Sequence, residues 1–203
     1  MKRCFDLISS LMAIILFSPI LLVLALIIKY SSPGPVLFKQ RRMGLNNQEF
    51  MIYKFRTMRI DTPNVATHLL KNPEHYITPI GKFMRTTSLD ELPQLFNILK
   101  GEMSVVGPRP ALYNQHDLIE MRTKVNVHTV RPGLTGLAQV SGRDELELEK
   151  KVYFDQQYLE KQSFFYDLKL ILLTIVKVFK SEGIVEGGIG NPEINQSVQH
   201  TEI

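Results

Sequence analysis

The stretch LISSLMAIILFSPILLVLALII, Leu7 to Ile28, runs through 22 positions without a charge and carries a Ser18-Pro19 pair near its middle. A helix needs roughly 20 apolar residues to cross a bilayer, so this segment is long enough to span one. Pro19 lacks a backbone donor and its ring collides with the carbonyl four residues back, which predicts a bend at a cost of about 3 kcal/mol in an ordinary helix. The Ser18 hydroxyl can satisfy a carbonyl freed in this way.

Charge outside the stretch bears on topology. Lys2 and Arg3 precede it, while Lys29, Lys39, Arg41, Arg42, Lys54, Arg56 and Arg59 follow it. The positive-inside bias pulls both flanks toward the cytoplasm, and a re-entrant helix-break-helix meets both pulls at once. A straight anchor with a tolerated proline is the other reading, and the flanks and the bend leave both open. A cleaved signal peptide fits worse, because the apolar run exceeds the usual core of about 7 to 15 residues and no small-residue cleavage site follows. Ser31-Ser32-Pro33-Gly34-Pro35 reads as a rigid exit turn.

The chain has 203 residues, a net charge of +4 and a pI of about 9.1. Residues 1–30 are expected to form the membrane element, 31–182 one catalytic-size domain and 183–203 a flexible glycine-bearing tail. The basic balance suits anionic lipid or phosphorylated substrates. Nucleic acid is not expected as a partner, since the cations are scattered and no binding module is visible. The single cysteine, Cys4, permits neither an internal disulfide nor a zinc cluster.

Along the chain, Val36 to Gln40 and Glu49 to Arg56 read as a β-hairpin joined by Arg41 to Gln48. Prolines mark 61–80 as a loop with at most one short helix around Val65 to Lys71. Ile80 to Arg85 reads as a short helix. Leu92, Leu95, Phe96 and Leu99 share one helix face, with Gly101 as the stop. A brief strand at Ser104 to Val106 feeds Gly107-Pro108-Arg109-Pro110, followed by a helix from Tyr113 to Lys124 and an irregular glycine-bearing segment from Val130 to Gly136. Asp144 to Leu159 is expected to be an exposed helix, and Asp167 to Lys180 an apolar helix that packs on the domain with its lysines toward headgroups. The fold class expected is α+β, mostly helical with a small hairpin sheet and amphipathic interfacial helices.

Thr86-Thr87-Ser88-Leu89-Asp90-Glu91-Leu92-Pro93-Gln94 places adjacent carboxylates at a helix entry. Ser88 and Glu91 have capping-box spacing, and Asp90 as the cap would put Pro93 in a tolerated position, so capping is the ordinary account of these acids. Several arginines argue for more. Arg85 precedes the pair, Arg109 sits between two prolines, and Arg131 and Arg143 bracket a glycine-bearing segment. One such arginine is usually a solvated surface charge; several on stiff loops suit a phosphate or pyrophosphate held bidentately. Pro108 and Pro110 restrict the chain on both sides of Arg109.

Six motifs occur in order: Ser18-Pro19, Phe38 to Gly44, Tyr53 to Met58, Thr87 to Gln94, Gly107 to Pro110, and Pro132 to Arg143. Together they resemble the small monotopic bacterial phosphoglycosyl transferases, the bacterial sugar transferase family, over nearly the whole chain to about residue 180. The resemblance is to the minimal catalytic form, without the extra N-terminal membrane helices of larger relatives. It implies transfer of a sugar 1-phosphate from a UDP-sugar to polyprenol (undecaprenyl) phosphate, releasing UMP, as the first membrane step of surface glycan synthesis. It also implies Mg²⁺, an aspartate nucleophile mapping onto Asp90, and Glu91 beside it either assisting the second step or holding the metal with Asp90. Arg109 and Arg143 would grip diphosphate or nucleotide, Lys54 the active-site phosphates and Arg85 the acceptor phosphate, with Gln139 also among the substrate-binding residues.

A free aspartate has a pKa of about 3.9, so Asp90 needs no base to attack phosphorus; its obstacle is repulsion by the diphosphate. Metal and arginines would screen that repulsion. The resemblance favours the re-entrant topology, at the bacterial inner membrane with the domain on its cytoplasmic face. An N-acetylated amino sugar is the first expectation for the donor, with galactose or glucose behind it. Exposed interfacial surface makes a homodimer compatible with the chain. Two other classes compete. A non-enzymatic module binding anionic lipid or a nucleotide sugar leaves Asp90 and Glu91 as caps, and a many-helix transferase with direct attack needs more than one long apolar segment.

Overall fold

The computed structural model of the protein describes residues 1–62, 73–142 and 146–180. Helix α1 spans Lys2–Ser31 and is followed by an antiparallel hairpin, β1 (Leu37–Met43) and β2 (Glu49–Phe55). Its register runs from Leu37 opposite Phe55 to Met43 opposite Glu49, so the first strand extends three residues beyond the expected Gln40. Then come α2 (Pro79–Thr86), α3 (Gln94–Lys100), β3 (Ser104–Val106), α4 (His116–Lys124), β4 (Gly133–Thr135), α5 (Leu137–Ser141), α6 (Leu148–Lys161) and α7 (Phe164–Lys180). Strand β3 is the brief strand expected at Ser104 to Val106, and it pairs in parallel with β4, which lies in the segment read as irregular, to make a second small sheet. The architecture is α+β, mostly helical, as expected.

Helix α1 continues through Pro19. Pro19 leaves the Ile15 carbonyl without its usual donor, and the Ser18 hydroxyl donates to that oxygen at 2.8 Å. One face of α1 lies on the domain along almost its whole length. Asp6 and Ser10 are buried near the start, Ala13 and Ile14 pack on Ile52, Leu95, Ile98 and Met103, and Leu24 and Ile28 pack on Phe55 and Met84. These positions recur at helical spacing, so the helix closes the core of the domain with one stripe. The opposite stripe, with Ile8, Leu11, Met12, Ile15, Leu16, Ile20 and Val23, is exposed.

Both ends of α1 are tied to the same body. Arg3 donates to the carbonyls of Ile98 and Leu99 at the C-terminus of α3, at 2.6 and 2.9 Å. At the other end Arg56, itself buried, donates to the Ser32 and Pro33 carbonyls at 2.8 Å. Gly34 has φ +118°, and a Cβ there would lie 2.2 Å from the Arg56 guanidinium, which accounts for a glycine in this exit turn.

Two further clusters complete the core: Val106, Tyr158 and Leu170 join β3, α6 and α7, while Ala111, Leu118 and Val152 join α4 to α6. Helix α6 is therefore not the exposed helix expected, since Val152, Asp155 and Tyr158 are buried. The face of α3 also differs from the leucine pattern: Gln94, Leu95, Asn97 and Ile98 are buried and Phe96 is exposed. Asn97 is the cause. It accepts from Tyr53 N–H at 3.0 Å and donates to the Met51 carbonyl at 2.7 Å, pairing α3 with the free edge of β2. Gly101, at φ 87°, ends α3 as expected. Helix α7 packs through Leu170 and presents Phe165, Leu168, Leu172 and Val176 outward. The expected helix around Val65 to Lys71, the Asp144 start of α6 and the tail from 183 lie outside the described residues.

Candidate active site

Asp90 and Glu91 stand on a single 3₁₀ turn, Leu89–Glu91, wedged between α2 and α3. Neither caps α3. The residue preceding α3 is Pro93, which supplies no side-chain bond, and Ser88 makes no capping bond either. Both capping readings of this motif are thus corrected: Pro93 has no N–H to be capped, and Ser88 is in the left-handed region at φ 57°. The carboxylates are freed from the usual helix-end role, and both are buried, at 8% and 7% exposure.

Two cations converge on Glu91. Lys54, near the end of β2, donates to Oε1 at 2.8 Å, and Arg109 Nη2 donates to the same oxygen at 2.7 Å. Burial lowers the Lys54 pKa from its ordinary 10.5, opposed by the Glu91 carboxylate. Asp90 moves the other way. Burial raises its pKa above 3.8, the Lys54 ammonium pulls it down, the Glu91 carboxylate pushes it up, and Arg85 and Arg109 pull it down. Lys54, Arg85 and Arg109 are thereby gathered around the acid pair.

The Arg109 loop is fixed from several sides. Arg122 Nη1 donates to the Arg109 carbonyl at 2.8 Å while its other nitrogens grip buried Asp155 at 2.6 and 2.9 Å. Arg42 Nη1 donates to the Pro110 carbonyl at 3.0 Å. Gly107 N–H donates to Thr135 O and Gly133 N–H to Pro108 O, and a Cβ on Gly107 would stand 2.4 Å from the Arg131 carbonyl. Arg131 does not join the site as a side chain: its Nε donates to the Gly101 carbonyl at 2.8 Å. A shallow cleft flanks the loop, lined by Met43, Arg109, Arg122 and His128 among others, and Asp90 is not among its lining residues.

Three side chains here hold buried polar atoms without hydrogen-bond partners: Ser88 Oγ, Gln94 Nε2, and both amide atoms of Gln139. Such atoms are uncommon in native folds and call for a partner such as water, an ion or a ligand. Gln139 was expected among the substrate-binding residues. Its Oε1 lies where a Cβ on Gly136 would be only 2.9 Å away, and that same Cβ would stand 2.1 Å from the Gly107 carbonyl. Ser88 entered the sequence reading only as a cap, and Gln94, Arg42 and Arg122 were given no role at the site. Ser88 and Gln94 lie within the motif that carries the acids, which was the available signal; Arg42 and Arg122 act through backbone contacts that no local pattern announces. Arg143 lies outside the described residues.

Among the described residues no group of three or more His, Cys, Asp or Glu side chains is placed to hold a metal. Asp90 and Glu91 fit a divalent cation of the Mg²⁺ type, which takes hard oxygen donors from one or two carboxylates and completes its shell with water and substrate phosphate.

The sequence model of one protein family, described as bacterial sugar transferase, matches residues 1–181. The chain is 40% identical over 187 residues to the UDP-glucose:undecaprenyl-phosphate glucose-1-phosphate transferase of Escherichia coli K12, covering 88% of this chain and 40% of that protein. It is 40% identical to the exopolysaccharide production protein ExoY of Rhizobium meliloti, covering 90% of this chain and 87% of ExoY. It is 42% identical to the uncharacterized sugar transferase EpsL of Bacillus subtilis, covering 91% and 90%. The chain thus spans about 40% of the length of some curated relatives and nearly the full length of others.

Proposed function

Because the chain belongs to the bacterial sugar transferase family, we propose that it transfers a sugar 1-phosphate from a UDP-sugar to a polyprenol phosphate of the undecaprenyl type, releasing UMP. The observation that carries this is the buried Asp90–Glu91 turn surrounded by Lys54, Arg85 and Arg109, two carboxylates in a cradle otherwise built for phosphate anions. The printed names of several relatives specify UDP-glucose, so UDP-glucose is the first donor to test, ahead of the N-acetylated amino sugar the sequence reading placed first.

In the proposed reaction an Asp90 carboxylate oxygen forms a bond to the β-phosphorus, and the bond from that phosphorus to the bridging oxygen breaks, with UMP leaving as the anion. An oxygen of the polyprenol phosphate then attacks the aspartyl phosphosugar and the Asp90 carboxylate leaves, giving polyprenol diphosphate sugar. Desolvation strips water from the nucleophile, while Lys54 and Arg85 keep the carboxylate accessible as the anion. Arg109 shares its guanidinium between Glu91 and the incoming diphosphate. Mg²⁺, held by Asp90 and Glu91 together with phosphate oxygens, would supply charge neutralisation on the diphosphate and on the departing UMP.

Although α1 runs unbroken through Pro19 and not as the two arms expected, the membrane arrangement proposed with this reaction is re-entrant in keeping both its ends on one side, with its exposed stripe in one leaflet. It is supported by the tethering of both ends of α1 to one domain and by the exposed apolar stripe between them. A helix of 30 residues is about 45 Å long, and a helix that crosses the membrane puts its ends on opposite sides of it. Arg3 and Arg56 bind the same body instead. The outward Phe165, Leu168 and Leu172 of α7 extend that apolar surface at the level of the headgroups.

The deciding experiment incubates membranes or nanodiscs containing the protein with UDP-[³²P]glucose labelled in the β-phosphate. Wild-type protein becomes covalently labelled and releases UMP, and added polyprenol phosphate discharges the label. Asp90→Asn protein takes up none; label persisting on that variant would remove Asp90 as the nucleophile.

A further inference from the structure

Asp6 is a buried carboxylate at the start of an apolar helix, 2% exposed, and its Oδ1 does not point toward the acid pair. That oxygen accepts from Ser104 Oγ at 2.9 Å and from Val105 N–H at 3.0 Å. Both donors belong to β3. On its other edge β3 pairs with β4, through Ser104 N–H to Pro132 O and Gly107 N–H to Thr135 O. Asp6 therefore stands where the carbonyls of a second neighbouring strand would stand. Burying a carboxylate is costly unless it is well bonded, so an Asp retained here answers to a specific demand of the strand.

Strand β3 leads directly into Gly107-Pro108-Arg109-Pro110. With Gly107 packed closely on the Arg131 carbonyl, a shift of β3 is transmitted to the arginine, because the intervening Pro108 leaves little slack. A second tether runs from the same region of α1. Lys2 pairs with Asp167 of α7 and donates to Tyr158 Oη, and that hydroxyl lies 2.8 Å from Asp167 Oδ1 and 3.1 Å from the Val106 carbonyl. Its single proton can go to only one of these acceptors. The first two turns of α1 thus bond Ser104 and Val105 directly and reach Val106 through Tyr158, in the strand that leads to Arg109.

We propose that Asp6 is a positioning residue for the transferase reaction: α1 sets the placement of Arg109 through β3, so the membrane element is part of the active-site framework as well as its support. This rests on the proposed function, and it adds that the site's geometry depends on how α1 is seated.

The test is a double-mutant cycle read by single-turnover UMP release from radiolabelled UDP-glucose in nanodiscs, with thermal unfolding and membrane recovery measured on every variant. Asp6→Ala is expected to lower the rate by about 10-fold to 100-fold, the scale of a small misplacement of a catalytic group. On an Arg109→Ala background the same change is expected to cost less than about 2-fold, because the group it positions is gone. Asp6→Asn keeps the Oδ1 acceptor and is expected to retain most of the rate. A general loss of fold would instead multiply with Arg109→Ala. Multiplying losses, or an Asp6→Ala rate within about 2-fold of wild type, overturn the proposal. Should Asp6→Ala not accumulate, Ser104→Ala replaces it in the cycle, removing one of the two donors, with about 3-fold expected alone and no added loss on Arg109→Ala. If the wild-type protein releases no UMP from a panel of UDP-sugars, the functional reading fails; if it does and the cycle is additive, only this inference fails.

Discussion

Lys54 Nζ lies 2.8 Å from Glu91 Oε1, and that oxygen also receives Arg109. The lysine side chain is 18% exposed and the glutamate side chain 9%, so the pair is held largely out of water, and burial lowers the lysine pKa. A cation desolvated in advance needs little reorganisation when a phosphate arrives. Lys54→Met is therefore expected to slow covalent labelling by about 100-fold or more while the protein still reaches the membrane. Label uptake against time, at saturating UDP-sugar, measures it.

Asp90→Asn should separate activity from stability. Burial raises the folded-state pKa of Asp90 above 3.8, so the charged form costs stability at every pH above that raised value. The cost fades as pH falls through the folded pKa and is gone below about 3.8, where the carboxyl is protonated folded or unfolded. The inactive Asn variant should accordingly unfold at a higher temperature than wild type at neutral pH, with the gap closing in acid. Thermal unfolding across a pH series checks both sign and window.

The Arg122–Asp155 pair offers a different contrast. Burial raises the Asp155 pKa in spite of the guanidinium, so the attraction does not fully offset desolvation. Asp155→Ala strands a buried arginine and is expected to cost about 3 to 5 kcal/mol. Arg122→Met combined with Asp155→Leu should recover most of that stability. Activity should stay low in the double variant, since the Arg109 carbonyl has lost its donor. Denaturant unfolding and UMP release, measured side by side, distinguish the two losses.

Topology can be read directly. With Cys4 replaced by Ser and a cysteine at position 2, an impermeant thiol reagent should leave intact cells unlabelled and react once the membrane is opened. Reaction from outside would establish a straight span.

Much of this was legible beforehand, and the failures have physical reasons. Ser18 beside Pro19 forecast its own hydrogen bond because donor and acceptor lie three residues apart. Gly101 forecast a helix end for an equally local reason. The core face of α3 did not follow from leucine spacing. Asn97 is buried to bond a strand more than 40 residues earlier, and such a partner has no local signature. The acids at 90 and 91 looked like caps because local chemistry favours capping, and the left-handed backbone of Ser88, between α2 and the 3₁₀ turn, defeats it. Lys54, Arg85 and Arg109, read from chemistry as phosphate-binding candidates, lie near the acid pair, whereas Asp6 escaped notice because an acid just outside an apolar run reads as a flank.

Ile98, Met103, Phe55 and Met84 are each less than 5% exposed, and α1 covers them. A soluble enzyme therefore cannot be made by trimming residues 1–31, since the cut would bare the centre of the protein and not merely its foot. For purification, the detergent or lipid must wet one side of a single helix while the other side stays dry inside the fold. A change on the exposed stripe of α1 therefore bears on the buried residues behind it, so the outer face of this helix and the interior of the domain are one piece of structure.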